Sequence, residues 1–122
     1  MQLGDIAWRR GPRGPVGVGG TMTYNGIQIP DRRLAEFCRK HRIRRLALFG
    51  SILRDDFGPD SDIDVLVEFE PDTRVGMIRL AGIELQLSEL LGRKVDLNTP
   101  GFISPYYRDR VLAEAQVQYD AA

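Results

Sequence analysis

The stretch from Gly50 to Glu68, GSILRDDFGPDSDIDVLVE, decides the predicted fold, because its polar residues connect two apolar runs. One apolar run leads into Gly50, and Asp62 and Asp64 open a second apolar run. Residues two apart in a strand point to the same face of a sheet, so the two carboxylates should lie side by side at the start of a buried strand. They repel each other unless a cation lies between them. Mg²⁺ is the natural candidate, because it takes carboxylate oxygens and bridges them to phosphates.

The composition is that of one ordinary globular domain. The chain has 122 residues with 17 basic and 17 acidic side chains, so there is no overall charge for holding a polyanion, and no direct binding of nucleic acid is expected. A single cysteine excludes an intrachain disulfide. Neither a membrane-spanning apolar run nor a signal-peptide pattern occurs. These features predict a small cytoplasmic protein with no membrane segment.

The first 21 residues differ from the rest of the chain. Residues 11–20, GPRGPVGVGG, combine five glycines with two prolines and show no apolar period. Such a segment cannot bury enough apolar surface to offset the entropy lost on ordering. The sequence therefore predicts a disordered N-terminal extension at residues 1–21 and one domain at residues 22–122.

Apolar periodicity predicts alternating helices and strands in the domain. Strands are expected at residues 43–49, 63–69 and 94–97, and helices at residues 31–41, 74–91 and 105–115, with a short helical turn at residues 52–55. His41 ends the first helix and is interpreted as a C-terminal cap or surface residue. The inward positions of the second and third helices are expected to be Met77, Leu80, Ile83, Leu87, Leu90 and Leu91, then Tyr107, Val111, Leu112 and Ala115. The order indicates an α/β (α+β) domain in which helices pack on a small mixed sheet.

A phosphate-binding site is predicted opposite the carboxylate pair. Gly50 has no Cβ and allows close approach of the backbone to a ligand. Ser51 offers a hydroxyl at the start of a helical turn, and Arg54 can reach the same anion one turn later. Phosphates facing metal-binding Asp62 and Asp64 are the arrangement that phosphoryl or nucleotidyl transfer needs.

Asp96 is the third candidate carboxylate. It lies between Val95 and Leu97 in a short apolar strand, where a buried charge would need a partner or a role. If that strand lies beside the strand of Asp64, Asp96 completes a triad. It would hold the metal next to the attacking oxygen or accept the proton of that oxygen.

Each motif alone is weak and has a common structural alternative. An isolated Asp-x-Asp is often a surface turn or a helix cap. A calcium-binding loop starting at Asp60 is excluded, because Val65 stands where the loop needs glycine and Pro71 stands where it needs glutamate. No glycine-lysine pattern of a P-loop occurs. Only the combination of Gly50-Ser51 with Asp62, Asp64 and Asp96 is informative about function.

That joint pattern resembles the signature of the polymerase-beta-like nucleotidyltransferase superfamily. Gly50, Ser51, Asp62 and Asp64 match it residue by residue, and Asp96 matches its third carboxylate. The resemblance implies that Gly-Ser holds a nucleotide triphosphate. It also implies that the three aspartates form a site for two Mg²⁺ ions, with Mn²⁺ as the alternative.

The resemblance covers residues 29–115 and is greatest to the minimal nucleotidyltransferases known as MNT domains. These are commonly antitoxins paired with a HEPN-domain ribonuclease toxin. The resemblance therefore implies ATP as substrate, a HEPN toxin as partner, and assembly of an oligomer with that toxin.

Three functions follow from this resemblance. The first is transfer of AMP from ATP to a hydroxyl of the toxin, with tyrosine as the expected acceptor. The second is neutralisation of the toxin by binding alone. The third is nucleotidyl transfer to a small molecule such as an antibiotic. The complete set of aspartates favours an enzyme, and the absence of a second domain for an acceptor pocket argues against the third function.

Overall fold

The computed structural model describes residues 21–121, so most of the predicted N-terminal extension lies outside the described residues. Thr21 is the first described residue and already belongs to a strand. The elements in order are β1 (Thr21–Tyr24), β2 (Ile27–Pro30), α1 (Asp31–Lys40), β3 (Ile43–Phe49), β4 (Ile63–Phe69), α2 (Met77–Leu91), β5 (Val95–Asn98), α3 (Pro105–Glu114) and β6 (Gln116–Asp120). Short 3₁₀ turns occupy Gly50–Leu53 and Pro100–Phe102.

The main sheet has four strands in the order β5-β4-β3-β6. The two pairs that involve β3 are antiparallel, whereas β4 and β5 run parallel. The sheet is therefore mixed and packs with helices, which confirms the predicted fold class. The central strands β3 and β4 have the bounds that the apolar periodicity predicts.

Both faces of the sheet contribute to the core. On one face the strands pack against α1 and α2 through Leu34, Cys38, Leu46, Leu48, Val65, Val67, Ile83 and Leu87, all of which are buried. On the other face, Ala47 packs with Ala115 and Val117. Alternation along β3 thus supplies both layers, as expected of a strand inside a sheet.

Strand β6 was not predicted from the sequence. Its pattern, QVQYD, alternates apolar and polar residues directly after α3. The pairing of β3 with β6 shifts register between Leu46 and Ala47. This irregularity lets Tyr119 join the helix-covered core while Val117 joins the opposite one, although the two residues are two apart.

The hairpin of β1 and β2 was also missed. Tyr24 pairs with Ile27, so Asn25 and Gly26 form a two-residue connection. Both have a positive φ, 49° and 81°. Asn-Gly is the preferred sequence for such a turn, because it requires left-handed backbone at both positions. The signal was therefore present, but the flanking apolar runs are short.

Two predicted helix faces need correction. Helix α2 begins at Met77 rather than residue 74, and Met77 is 70% exposed because it lies at the open end of the helix. Tyr107, which was predicted to face inward, is 61% exposed, whereas Leu112 and Ala115 are buried as expected. Across the described residues, the helices are too short and too polar to cross a membrane.

His41 is a C-cap residue, but its side chain is buried rather than on the surface. The ring lies 4.5 Å from the ring of Phe37, measured between centroids, and Nε2 is hydrogen-bonded to Oε1 of Gln86 at 3.0 Å. Burial lowers the pKa of His41 below its ordinary value. The residue connects α1 to α2 in the core.

Candidate active site

The turn that follows β3 brings Gly50 against Asp64. Phe49, the last residue of β3, pairs with Asp64 across the antiparallel ladder. Gly50 has a φ of 77°, and a Cβ at this position would overlap the Asp64 carboxylate. Glycine is thus required twice, for the left-handed backbone and for the close contact. The 3₁₀ turn starts at Gly50, two residues earlier than predicted, and therefore includes Ser51.

Strand pairing places the predicted carboxylates at one end of the sheet. Asp64 and Asp96 are direct partners in the parallel ladder between β4 and β5, so their side chains share a face. Asp62 lies two residues before Asp64. Asp96 is exposed, so burial does not explain its presence as the sequence analysis supposed. Asp96 lies beside Asp64, and a triad with Asp62 stays a prediction.

Helix α2 holds strand β5, and with it Asp96. Oγ of Ser88 accepts a hydrogen bond from the Val95 N–H at 3.0 Å, and Oε2 of Glu84 accepts one from the Leu97 N–H at 2.8 Å. These residues flank Asp96 on both sides. The edge strand is therefore fixed by two side chains one turn apart, a feature that the sequence pattern did not reveal.

The carboxylates affect one another electrostatically. Partial burial raises the pKa of the Asp64 carboxyl above its ordinary value. The negative charges of Asp96 and then Asp62 raise this pKa further, while the positive charge of Arg54 lowers it. Nζ of Lys94 lies 3.9 Å from Oδ2 of Asp62, and both side chains are well exposed. The site thus carries a local excess of negative charge.

The three aspartates have the donor type of a Mg²⁺ site but not the spacing of one. Among residues 21–121, no group of three or more His, Cys, Asp or Glu side chains converges closely enough to hold a metal ion as placed. Three neighbouring carboxylates nevertheless supply the oxygen ligands and the negative charge that suit Mg²⁺. A divalent cation would also offset the repulsion that raises the pKa of Asp64. By donor type and charge the aspartates fit Mg²⁺, and binding requires their side chains to move closer together.

The backbone of Arg54 is hydrogen-bonded at the end of the turn, whereas its side chain is exposed. Its guanidinium Nε lies 3.5 Å from Oδ1 of Asp56, and both side chains are more than half exposed. The carbonyls of Ile52 and Arg54 accept hydrogen bonds from Nδ2 of Asn25 at 2.6 and 2.9 Å. Asn25 is a contact of the site that the sequence analysis missed, because nothing in the sequence relates it to the turn.

The loop between the turn and Asp62 has its own anchor. The guanidinium of Arg93 stacks 4.7 Å above the centroid of the Phe57 ring and donates a hydrogen bond to the Gly58 carbonyl. Oγ of Ser61 accepts a hydrogen bond from the Gly58 N–H at 2.9 Å. Arg93 lies outside every motif in the sequence, so its role could be seen only in the structure.

Two grooves lie on the surface of the described residues. One, of about 790 Å³, is bounded by the β1–β2 hairpin, the turn at Gly50 and the end of α3, and it includes Arg54. The other, of about 460 Å³, is lined by residues such as Phe69, Val75 and Phe102 and contains no predicted site residue. The first groove borders the turn at Gly50, whereas Asp62, Asp64 and Asp96 do not line it.

Comparison with known proteins identifies the family. The sequence profile of the nucleotidyltransferase domain family, described as "Nucleotidyltransferase domain", matches residues 31–117. The protein MJ0435 of Methanocaldococcus jannaschii, named as a candidate protein adenylyltransferase, is 39% identical over 95 residues. That match covers 77% of this chain and 96% of the relative.

Solved structures show the same fold. A candidate minimal nucleotidyltransferase is 34% identical, with a TM-score of 0.58 over 69% of this chain and 84% of that chain. A toxin–antitoxin complex with AMP-PNP gives a TM-score of 0.60 at 20% identity, covering 72% of this chain and 71% of that chain. A tri-AMPylated Shewanella oneidensis HEPN toxin in complex with its MNT antitoxin gives 0.54 at 20% identity, covering 72% and 67%. The profile match and the relatives together show that this chain belongs to the nucleotidyltransferase domain family, as a minimal nucleotidyltransferase.

Proposed function

We propose that the protein transfers AMP from ATP to a tyrosine hydroxyl of a HEPN-type toxin and thereby acts as its antitoxin. The observation that carries this proposal is the contact of Gly50 with Asp64, which is itself paired with Asp96. A glycine turn for phosphates thus faces a set of carboxylates. Nucleotidyl transfer requires the phosphate-binding turn and the carboxylates to be close enough for one nucleotide triphosphate to reach both.

The turn is the nucleotide side of the proposed site. Gly50 lets the start of the turn lie directly against Asp64, so a triphosphate bound along the turn would reach the carboxylates. Ser51 offers its hydroxyl as a hydrogen-bond partner for a phosphate oxygen. Arg54 supplies positive charge, and its exposed guanidinium can leave Asp56 to pair with a phosphate.

The carboxylates are the chemical side of the proposed site. Asp62, Asp64 and Asp96 would hold two Mg²⁺ ions, which when bound neutralise phosphate charge and favour ionisation of the attacking hydroxyl. Asp96 is exposed and can therefore meet an incoming acceptor. The acceptor oxygen forms a bond to the α-phosphorus, the bond to pyrophosphate breaks, and the hydroxyl proton passes to Asp96. The products are an AMP ester and pyrophosphate.

The choice of a protein acceptor is supported by the relatives. MJ0435 is named for protein adenylylation. Two structural neighbours come from toxin–antitoxin complexes, one with AMP-PNP and one in which the HEPN toxin carries AMP. We extend the nucleotide, the partner and assembly with that partner to this chain because family and fold agree.

Incubation with labelled ATP, Mg²⁺ and the protein encoded beside this one tests the proposal. Label should move to the partner, mass spectrometry should locate AMP on a tyrosine, and chelation of the metal should stop the reaction. Label on a small molecule, or none on any acceptor, would contradict the proposal. Asp60→Asn serves as a control because Asp60 lies in the same loop and is exposed outside the triad.

Neutralisation by binding alone is the second candidate, favoured by an apolar stripe on α2. Ile78 and Leu85 lie seven residues apart on one side of the helix and are 91% and 67% exposed. A partner could cover this side without any chemistry at the site. If Asp64→Asn protects cells from the toxin as well as the parent does, binding is the main mode.

A further inference from the structure

We propose that Asn25 is a positioning residue that holds the Gly50–Leu53 turn in its nucleotide-binding shape and so sets the affinity for ATP. The inference rests on the proposed function, because it takes the turn as the phosphate side of the site. It adds a residue 25 positions upstream of the turn, in a hairpin that lies before the part of the chain matched by the family profile.

Both amide hydrogens of Asn25 are used. Nδ2 donates to the Ile52 carbonyl at 2.6 Å, where the bond is partly buried, and to the Arg54 carbonyl at 2.9 Å. The two acceptors lie at the C-terminal end of the turn, and Gly50 with Ser51 lies at the other end. One side chain therefore fixes the C-terminal end of the turn.

The hairpin can act as an anchor because the core holds it. Ile29 of β2 is 1% exposed, and Met22, Tyr24 and Ile27 pack against the same core. The Tyr24 hydroxyl also accepts a hydrogen bond from Nε2 of Gln118 at 3.0 Å. Movement of Asn25 would thus require movement of the core or of strand β6.

The turn benefits from this second attachment. Within it, the Arg54 N–H bonds the Ser51 carbonyl at 2.9 Å, and the Ile52 side chain is buried. The chain then enters the loop at residues 54–62, which contains no helix or strand. Asn25, Gly50 and Arg54 line the same groove of about 790 Å³. If the turn also adopts shapes that cannot bind the ligand, the apparent affinity falls in proportion to the fraction of time that the turn spends in the binding-competent shape.

A purely local role for Asn25 is the alternative. Asparagine is favoured at a left-handed position, and Asn25 has a φ of 49°. Asn25→Gly separates the two roles, because glycine keeps the backbone preference and removes both donors. Gln28→Ala is the matched control, since Gln28 is an exposed residue of the same hairpin.

The measurement is calorimetric binding of α,β-methylene-ATP with Mg²⁺ to the full chain, without any acceptor. This analogue blocks the bond that AMP transfer would break. Asn25→Gly should weaken binding about tenfold, as expected if the released turn is competent about a tenth of the time. Gln28→Ala should match the parent. In turnover assays the KM for ATP should rise similarly, with kcat within about twofold of the parent, because the carboxylates are untouched.

Equal affinity of Asn25→Gly and the parent for the analogue would overturn the inference, whatever happens to the melting temperature. So would equal weakening by Gln28→Ala, which would assign the effect to the hairpin as a whole. A fall in kcat at unchanged KM would also contradict it. Failure of the proposed function gives a different result: the parent binds the analogue tightly but transfers no AMP to the partner.

Discussion

The two sides of the proposed site, the carboxylates and the nucleotide-binding turn, are built in different ways. The carboxylate side is placed by regular strand pairing, in which Asp64 and Asp96 are partners between β4 and β5. The nucleotide side is a short turn whose end is attached by Asn25, 27 residues from Ile52. Alternation along a strand leaves a pattern in the sequence, which relates Asp62 to Asp64, whereas a single long-range hydrogen bond leaves none.

The two sides should respond differently to metal and to substitution. On the carboxylate side, partial burial and then the negative charges of Asp96 and Asp62 raise the pKa of Asp64, so the folded protein bears an electrostatic cost there. On the nucleotide side the constraint is conformational, because the left-handed backbone of Gly50 against Asp64 would be strained for any residue with a Cβ. Metal should therefore act mainly on the first side, and backbone substitutions mainly on the second.

The largest expected effect comes from removing charge on the carboxylate side. Asp64→Asn should reduce AMP transfer by about a thousandfold or more, because several kcal/mol of charge stabilisation are lost. Binding of the toxin should persist, since the change alters little volume. Labelled transfer and a pull-down measure the two quantities, with Asp60→Asn as the control. Transfer at the parental rate would show that Asp64 is not part of the chemistry.

The contact between the two sides can be measured with a double-mutant cycle. Gly50→Ala should lower the free energy of unfolding by about 2–3 kcal/mol, from left-handed strain and overlap with Asp64. In an Asp64→Ala background the cost should fall to about 1 kcal/mol, because only the strain remains.

Urea unfolding of the four proteins gives the coupling. Gly58→Ala is the control, since a Cβ there meets nothing within 4 Å. Additive costs would mean that the two sides do not touch in solution.

Metal alone should distinguish the two sides. At ten times its dissociation constant, Mg²⁺ should stabilise the parent by about 1.4 kcal/mol. For a domain of this size that raises the melting temperature by about 8 °C. Asp62→Asn should show a smaller rise with Mg²⁺ and an equal or higher melting temperature without it, because one repelling charge is gone. Asn25→Gly should keep the full rise. Thermal melts with and without Mg²⁺ measure both, and no rise in the parent would make the aspartates structural.

The smallest effect concerns the attachment of Asp96. Glu84→Ala removes the acceptor for the Leu97 N–H and should cost about 1 kcal/mol of stability. Mg²⁺ binding should weaken severalfold because β5 is held less firmly, while binding of nucleotide without metal stays unchanged. Glu89→Ala, an exposed change on the same helix, is the control for both measurements. Unchanged Mg²⁺ binding would show that pairing with β4 suffices to place Asp96.

The elements that the sequence predicted well are those with strong periodicity. Strands β3 and β4 have the predicted bounds, and α1 and α3 end within a residue of the prediction. The β1–β2 hairpin and β6 were missed because these strands are only four or five residues long and hold few apolar positions. Met77 and Tyr107 fit a helical stripe in sequence but lie at exposed ends, where no other element of residues 21–121 covers them. Periodicity reports which face is apolar and cannot report whether something packs on it.

The sequence by itself determined the chemistry of this protein: which oxygens and which glycine are available, at what spacing, and hence the family. The order of the strands, the pairing of Asp96 with Asp64 and the attachment of the turn by Asn25 were decided only in the tertiary structure. The physical reason is the separation along the chain over which each interaction acts. Strand alternation and turn preference act between near neighbours, whereas these contacts join residues far apart in the chain, and their formation depends on how the whole sheet and its helices pack.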